Sequence, residues 1–407
     1  MNRRFAFLAL PAILIAGLIV GCGGGSGGSE GGGDADTVDH TVVETGTAGW
    51  PTFGRDTRRT HYLEADSSLN PPLKQLWSFS DKVLIEFPPA VHDGIAYLAD
   101  KYGNVRALRL SDREVLWDIQ KDKRNVGPPS DTTAPLYSHG HIFVAFMSGM
   151  MVSLDADTGK VDWRRDMHSQ LESSPIIANG RLYIGTDKAI LYALDPDNGK
   201  TIWNFHAGAP VKSSPSVFRG QVFFGNYDGV MYSLDARTGK IVWTMDTTKV
   251  PPFGDGGFYS SPAIGFRRVF AGRDDGTVFA FDLRSGRVSW SYKTNGDVYG
   301  SPAVARVHGT PPTVYIGSYD SNLYALNART GRKEWKYNVG GPVPGTATVI
   351  GHTVYTSDFK TARSVGIDIF SHKKTFSYDS PGYTPMISDG KNLYLVGYFT
   401  FHGFTPK

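Results

Sequence analysis

Apolar and polar residues alternate with period two along most of the chain after residue 70, in short runs such as Leu182-Tyr183-Ile184-Gly185 and Leu191-Tyr192-Ala193-Leu194. Alternation of this kind predicts β-strands with one buried face and does not fit the 3.6-residue period of a helix. The runs recur. Ser153 to Trp163, Ala193 to Trp203, Ser233 to Trp243 and Ala325 to Trp335 align without gaps, and Ala280 to Trp290 is a fifth copy. Two degenerate copies run from Ala107 to Trp117 and from Gly366 to Phe376, and Trp77 stands alone upstream. The aromatic ends fall at 77, 117, 163, 203, 243, 290, 335 and 376, spaced by 40 to 47 residues. One four-stranded blade of a β-propeller needs a repeat of about this length.

Each repeat parses into four strands. A first strand starts after a proline (Pro89, Pro135, Pro175, Pro215, Pro262, Pro302), with Ala347 and Pro385 at the equivalent later places. Proline is tolerated there because no ladder donor is lost. Gly180 and Gly220 mark the next turn, and Asp228-Gly229 and Asp275-Gly276 the following hairpin. Asp155, Asp195, Asp235 and Asp282 end the third strand, and a glycine four residues later permits the positive φ of a tight turn. Those aspartates are expected to bond their own turns rather than to form a carboxylate array. Arg113 and His372 replace the glycine in the degenerate copies, so those two turns are expected to be looser or differently built. Trp77, Trp117, Trp163, Trp203, Trp243, Trp290 and Trp335 are expected to wedge between adjacent blades, each indole N–H seeking one acceptor. The last repeat lacks an outer strand, and Leu76 to Phe79 lacks a blade. The expected fold is therefore all-β. It is an eight-bladed propeller of four-stranded antiparallel blades, closed by the N-terminal strand completing the last blade. The alternative is seven blades with the final forty or so residues as a cap.

The start of the chain reads differently. A cationic Met1 to Arg4 precedes an apolar run from Phe5 to Val20, interrupted by Pro11 and Gly17. The run is short for a spanning helix and suits a signal segment. Leu18-Ile-Val-Gly-Cys22 resembles the lipobox of bacterial lipoproteins. That resemblance implies cleavage after residue 21 and acyl chains on Cys22. Residues 22–49 carry five acids and no Lys or Arg, and are rich in Gly and Ser, as expected of a flexible tether. Residues 50–407 are then the propeller.

The recurring Asp-x-x-Thr-Gly-Lys-x-x-Trp pattern, with the lead-in Trp50-Pro-Thr-Phe-Gly-Arg-Asp56 and Arg59-Thr60, resembles the tryptophan-docking repeat of the pyrroloquinoline-quinone (PQQ) propellers. In size and anchor the chain resembles the BamB-like members, which the resemblance describes as lipid-anchored scaffolds without a cofactor. Other members are dehydrogenases that hold the quinone and calcium on the propeller axis.

Composition narrows the choice. Cys22 is the only cysteine, which excludes a disulfide framework, a zinc ribbon, an iron–sulfur cluster and the paired cysteines some quinone dehydrogenases use. The net charge of +3 is no signature of nucleic-acid binding. His139 and His141 lack a third metal ligand at a useful spacing, and neither a nucleophile elbow nor a Walker loop is present. One ring of positions, three before each strand-opening proline, reads Glu86, Thr132, Glu172, Lys212, Tyr259, Tyr299, Pro344 and Gly382. Read functionally it is a small-ligand or ion site at the funnel mouth; read plainly it is a solvated rim with Lys212 pairing Glu172. The longer repeats add residues at Lys121 to Asp131, Thr247 to Phe258 and Val307 to Pro312. Phe253, Phe258 and Tyr259 make the second of these a candidate partner contact. The expectation is a non-catalytic scaffold of the cell envelope, a monomer within a larger assembly of envelope proteins, held to a membrane by its lipid. No catalytic residue, metal or cofactor is expected. A small-molecule or glycan receptor and a PQQ- and calcium-dependent dehydrogenase are the alternatives.

Overall fold

A computed structural model describes residues 49–65, 67–80, 83–120, 130–380 and 386–407. The signal segment, Cys22 and nearly all of the tether lie outside the described residues, as do Gly382 and most of Lys121 to Asp131.

Eight sheets follow one another, each one blade, with strands in antiparallel order from the axis outward. The first blade is Ala90–His92, Ile95–Ala99, Val105–Arg109 and Val115–Asp118. The fourth, a regular copy, is Ser216–Phe218, Gln221–Gly225, Val230–Asp235 and Ile241–Asp246. In the eighth, Ile387–Ser388, Leu393–Gly397 and Thr400–Pro406 are completed by Leu73–Ser80 from the other end of the chain. Leu73 pairs with Pro406 and Ser80 with Thr400, so the ring closes through strand pairing and the seven-blade alternative is excluded. Among the described residues the helical content is two 3-10 turns, Ser67–Leu69 and Thr247–Lys249. One strand was not expected. Tyr62–Leu63 lies parallel to Thr348–Ile350 and gives the seventh blade a fifth, axial strand.

Apolar side chains meet between blades rather than within them. Ile142, Val144 and Val152 of the second blade pack on Tyr97, Val105 and Ala107 of the first, and Val222, Phe224 and Leu234 of the fourth pack on Tyr183, Leu191 and Ala193 of the third. The period-two alternation thus serves two interfaces, since each inner strand has a neighbour on both faces. The outer strand has one covered face only, as the alternating burial of Val161–Asp166 shows.

Five of the seven tryptophans make the expected indole bond to the next blade. Among the described residues Trp335 instead stacks on His372, and Trp77 lies against Tyr394 and Phe401 of its own blade, without such a bond. The Trp163 indole N–H donates to the Pro196 carbonyl of the next blade at 2.7 Å. Trp117 does so to Ala156, Trp203 to Ala236, Trp243 to Leu283 and Trp290 to Ala328, at 2.8 to 3.1 Å. A β-bulge before each tryptophan sets it facing that neighbour: Thr201 pairs with Leu194 and Trp203 with Ala193, and Ile241 and Trp243 repeat the shift. The turn aspartates are occupied as expected. Asp155 accepts from the Thr158 amide and hydroxyl at 2.8 and 2.6 Å, and Asp235 bonds Thr238 in the same way. The expectation for the degenerate turns is corrected. Arg113 and His372 take the same left-handed φ, +66° and +57°, and make the same bond back to residues 109 and 368 as Gly159 makes to 155. The aspartate or the strand ends dictate the turn, and the residue in it bears the strain. His372 also stacks on Trp335 with ring centroids 5.0 Å apart.

Gly239 carries two constraints at once. Its φ is +72°, and a β-carbon there would stand 2.8 Å from Trp203 ring atoms. Gly94 has a φ of +76° with nothing within 4 Å of the same point. Gly239→Ala is therefore expected to destabilise the fold by about 2 kcal/mol more than Gly94→Ala, which bears only left-handed strain of about 1 kcal/mol. Paired urea titrations measure the difference.

Candidate functional site

The lead-in segment closes one end of the axis. Trp50 pairs through both backbone groups with Val91 of the first blade, and the Pro51 carbonyl accepts from Tyr137 of the second. The carbonyls of Thr57, Arg58, Thr60 and His61 accept from Val217, Ile264, Val304 and Val349, one in each of blades four to seven. The Arg59 side chain supplies the rest. It is fully buried and donates to the carbonyls of Ser174 at 2.9 Å, Pro215 at 2.7 Å and Phe53 at 2.5 Å. Burial lowers its pKa to about 9, against a smaller upward pull from Asp56. Carbonyl dipoles from two blades and the segment itself thus hold a cation in place of a counter-ion. The sequence showed Arg59 only as part of a resemblance; its role depends on the ring being closed around it.

Above this plug the strand-opening Ser-Pro pairs form a circumferential chain. The amides of Ser174, Ser214 and Ser261 donate to the hydroxyls of Ser214, Ser261 and Ser301 at 2.9 to 3.0 Å, and that of Ser301 donates to Thr346 at 3.0 Å. Serine before proline is thus a link between blades, a role beyond the strand start that its proline marks.

A cavity of about 330 Å³ opens over that ring, with Phe53 of the plug at its lining. Six of the eight residues of the rim ring line it: Glu86, Glu172, Lys212, Tyr259, Tyr299 and Pro344. Thr132 does not; it forms a bridge with Phe146 and bonds the Asp100 carbonyl. Gly382 lies outside the described residues. Tyr227 and Tyr319 complete the wall and were missed. Both sit one residue before the Asp228 and Asp320 hairpin turns, and the Tyr227 and Tyr319 amides bond the connectors at Pro210 and Asp297. That recurring offset was a legible signal.

The polar groups are unevenly matched. Lys212 Nζ lies 2.7 Å from Glu172, 3.6 Å from Asp187 and 5.2 Å from the Tyr227 ring centroid. Burial opposes its charge, but Glu172 and Asp187 outweigh burial and raise its pKa. The plain reading of a Lys212–Glu172 pair holds. Glu86 differs. Among the described residues it makes no ion pair within 4 Å and no hydrogen bond. Burial raises its pKa, with Lys101 pulling the other way. Tyr259 is pushed well above the ordinary tyrosine range by burial and then by Glu172, and Tyr299 up to about 12 by burial and Asp297. Among the described residues no group of three or more His, Cys, Asp or Glu side chains is placed to hold a metal ion. His141 bonds Asp162 at 2.8 Å and His139 bonds Ser138.

The loop candidates part company. Phe253 is 72% exposed. Phe258 is fully buried, which corrects its reading as an exposed aromatic. It covers Gly225, as Val211 covers Gly185 and Val298 covers Gly272, so it is a core position of the repeat. Tyr259 faces the funnel instead of the outer surface. Arg273, fully buried, holds the segment below Phe253. It donates to Thr247 at 3.1 Å, to the Pro252 carbonyl at 3.3 Å and to Asp275 at 2.6 Å.

Repeat, docking indoles and strand closure define a PQQ-like eight-bladed propeller. The chain belongs to the family described as outer membrane protein assembly factor BamB, whose model matches residues 67–175, 101–210 and 152–371. The structure of BamB from Moraxella catarrhalis superposes with a TM-score of 0.67 at 18% identity, covering 82% of this chain and 99% of that one. A europium-containing methanol dehydrogenase superposes with a TM-score of 0.72 at 14% identity, over 88% of this chain and 98% of that one. By sequence, the quinohemoprotein alcohol dehydrogenase of Comamonas testosteroni is 29% identical over 131 residues, 30% of this chain but only 18% of that protein's length. The structural likenesses, all at low identity, speak for the shared fold alone.

His61 gives the plug a pH dependence. It is buried, edge-on to Phe53 at 4.9 Å, and burial, then Arg59, pushes its pKa down to about 3. The unfolded chain takes up a proton near pH 6.5 and the folded one does not. Stability should therefore be intact above pH 6.5 and fall by about 2 kcal/mol by pH 5, continuing down toward pH 3. Urea midpoints between pH 8 and 5 should show this fall, and His61→Asn should remove that share of it.

Proposed function

We propose that this chain is a lipid-anchored, non-catalytic propeller that presents its loops to protein partners within a membrane protein assembly of the cell envelope. The observation that carries the reading is the match to the outer-membrane assembly-factor family over residues 67–371. The lipobox-like run ending at Cys22 and the acidic Gly/Ser stretch after it supply an anchor and a tether. The described chain begins at the plug, where Trp50 pairs with Val91.

The axial funnel does not suit a quinone and calcium. The quinone is a tricarboxylate and asks for cations. Lys212, the one cation among the described lining residues, is already engaged by Glu172 and Asp187, while Glu86 and Glu172 would repel the ligand. Calcium asks for six to eight converging oxygens. Two glutamates, one of them committed to a lysine, fall short of that. This mismatch favours the scaffold over a dehydrogenase.

The 247–257 segment is the contact surface we favour. It offers one large exposed ring on backbone pinned by Arg273, so little order is lost on binding. Crosslinking in membranes of the native host should capture the same envelope proteins reproducibly, and Phe253→Ser should reduce capture several-fold without altering the melting temperature. Dye reduction with alcohols or sugars by protein reconstituted with PQQ and calcium would overturn the proposal.

A further inference from the structure

The funnel wall carries four tyrosines in succession, Tyr227, Tyr259, Tyr299 and Tyr319. Tyr259 meets Tyr299 edge-on at 6.1 Å, and Tyr299 meets Tyr319 edge-on at 5.1 Å, so the rings brace one another. Two carboxylates, Glu86 and Glu172, share the cavity with them. Asp131, Asp187, Asp274 and Asp297 stand close enough to act electrostatically on the lining groups. Among the described residues these six acids face Lys212, Lys101 and, beside Asp274, Arg273, which is itself paired with Asp275, and Lys101 is 3.7 Å from Asp131. An anion would meet net negative charge. A neutral sugar could bond the hydroxyls and would leave that charge where it is. A cation answers both features, since aromatic faces and carboxylates each attract one.

The protein already shows this chemistry with its own ammonium. Lys212 Nζ sits between Glu172 and Asp187 and over the Tyr227 ring. Around the cavity from it, Glu86 has no ion pair within 4 Å among the described residues, and Tyr259, Tyr299 and Tyr319 supply the rings. We infer that the funnel binds a small organic ammonium, its charged head held by Glu86 and the tyrosine arc. The volume of about 330 Å³ lies at the small end of ligand pockets, which suits a compact amine or quaternary ammonium rather than an oligosaccharide. Phe53, Phe87, Pro88 and Pro344 would take its carbon skeleton. The inference stands apart from the scaffold reading, so failure of partner capture leaves it intact.

Calorimetric titration of the detergent-solubilised full-length chain tests it, with choline, butylammonium, glucose and 3,3-dimethyl-1-butanol, the uncharged isostere of choline. Saturable binding of choline or butylammonium is expected, at least roughly tenfold tighter than the isostere or glucose and weakening with added salt. Glu86→Gln and Tyr299→Leu should each weaken it roughly tenfold at unchanged melting temperature, and Tyr299→Phe should keep most of it. No saturable binding by either amine, equal binding of the isostere, or full affinity in Glu86→Gln would overturn the inference. If Tyr299→Leu unfolds, Glu86→Gln with the isostere comparison still decides it.

Discussion

An indole N–H reaching the turn carbonyl of the next blade is the contact on which this ring depends. A four-stranded blade has two apolar faces and cannot satisfy them alone. Its neighbours must stand at a fixed angle, and a flat side chain at the outer rim sets that angle while burying area. The bulge before each tryptophan, the bound aspartate and the left-handed turn residue all serve to bring one ring against one turn. The Arg113 and His372 turns make the point well. The glycine is lost there, the conformation is kept, and His372 becomes a stacking partner for Trp335.

Closure then creates an inside. Once the N-terminal strand has paired with Thr400–Pro406, eight first strands point their ends at one axis, and something must occupy it. At one end the occupant is the lead-in segment, whose backbone groups are shared out among most of the blades and whose Arg59 is solvated by carbonyls. Over it lies the cavity lined by the described rim residues. The plug and the Ser-Pro chain share a logic: each satisfies polar backbone that ring geometry leaves without a strand partner.

Family membership and site chemistry answer different questions. The BamB family model covers most of the ring, while structures of a BamB and of a methanol dehydrogenase superpose on it about equally well. The fold accordingly leaves the choice between scaffold and dehydrogenase to the axial side chains. Among the described residues those are tyrosines and carboxylates around one paired lysine, a set suited to positive charge.

The amino-acid sequence determined the blade count, the strand order within each blade, the closing strand and most of the funnel rim, because each is a local pattern repeated at a fixed interval. Glu86, Glu172, Lys212, Tyr259 and Tyr299 were legible as a ring for that reason. Phe258 was misread because exposure belongs to the surroundings, and a loop phenylalanine gives no sign that Gly225 lies beneath it. Tertiary structure alone decided the fifth strand at Tyr62–Leu63, the burial of Arg59 and the assembly of the tyrosine arc. The first two join the lead-in to residues far along the chain, while the arc joins rings of successive repeats; no local periodicity encodes ring and backbone contacts around an axis that exists only once the circle is closed.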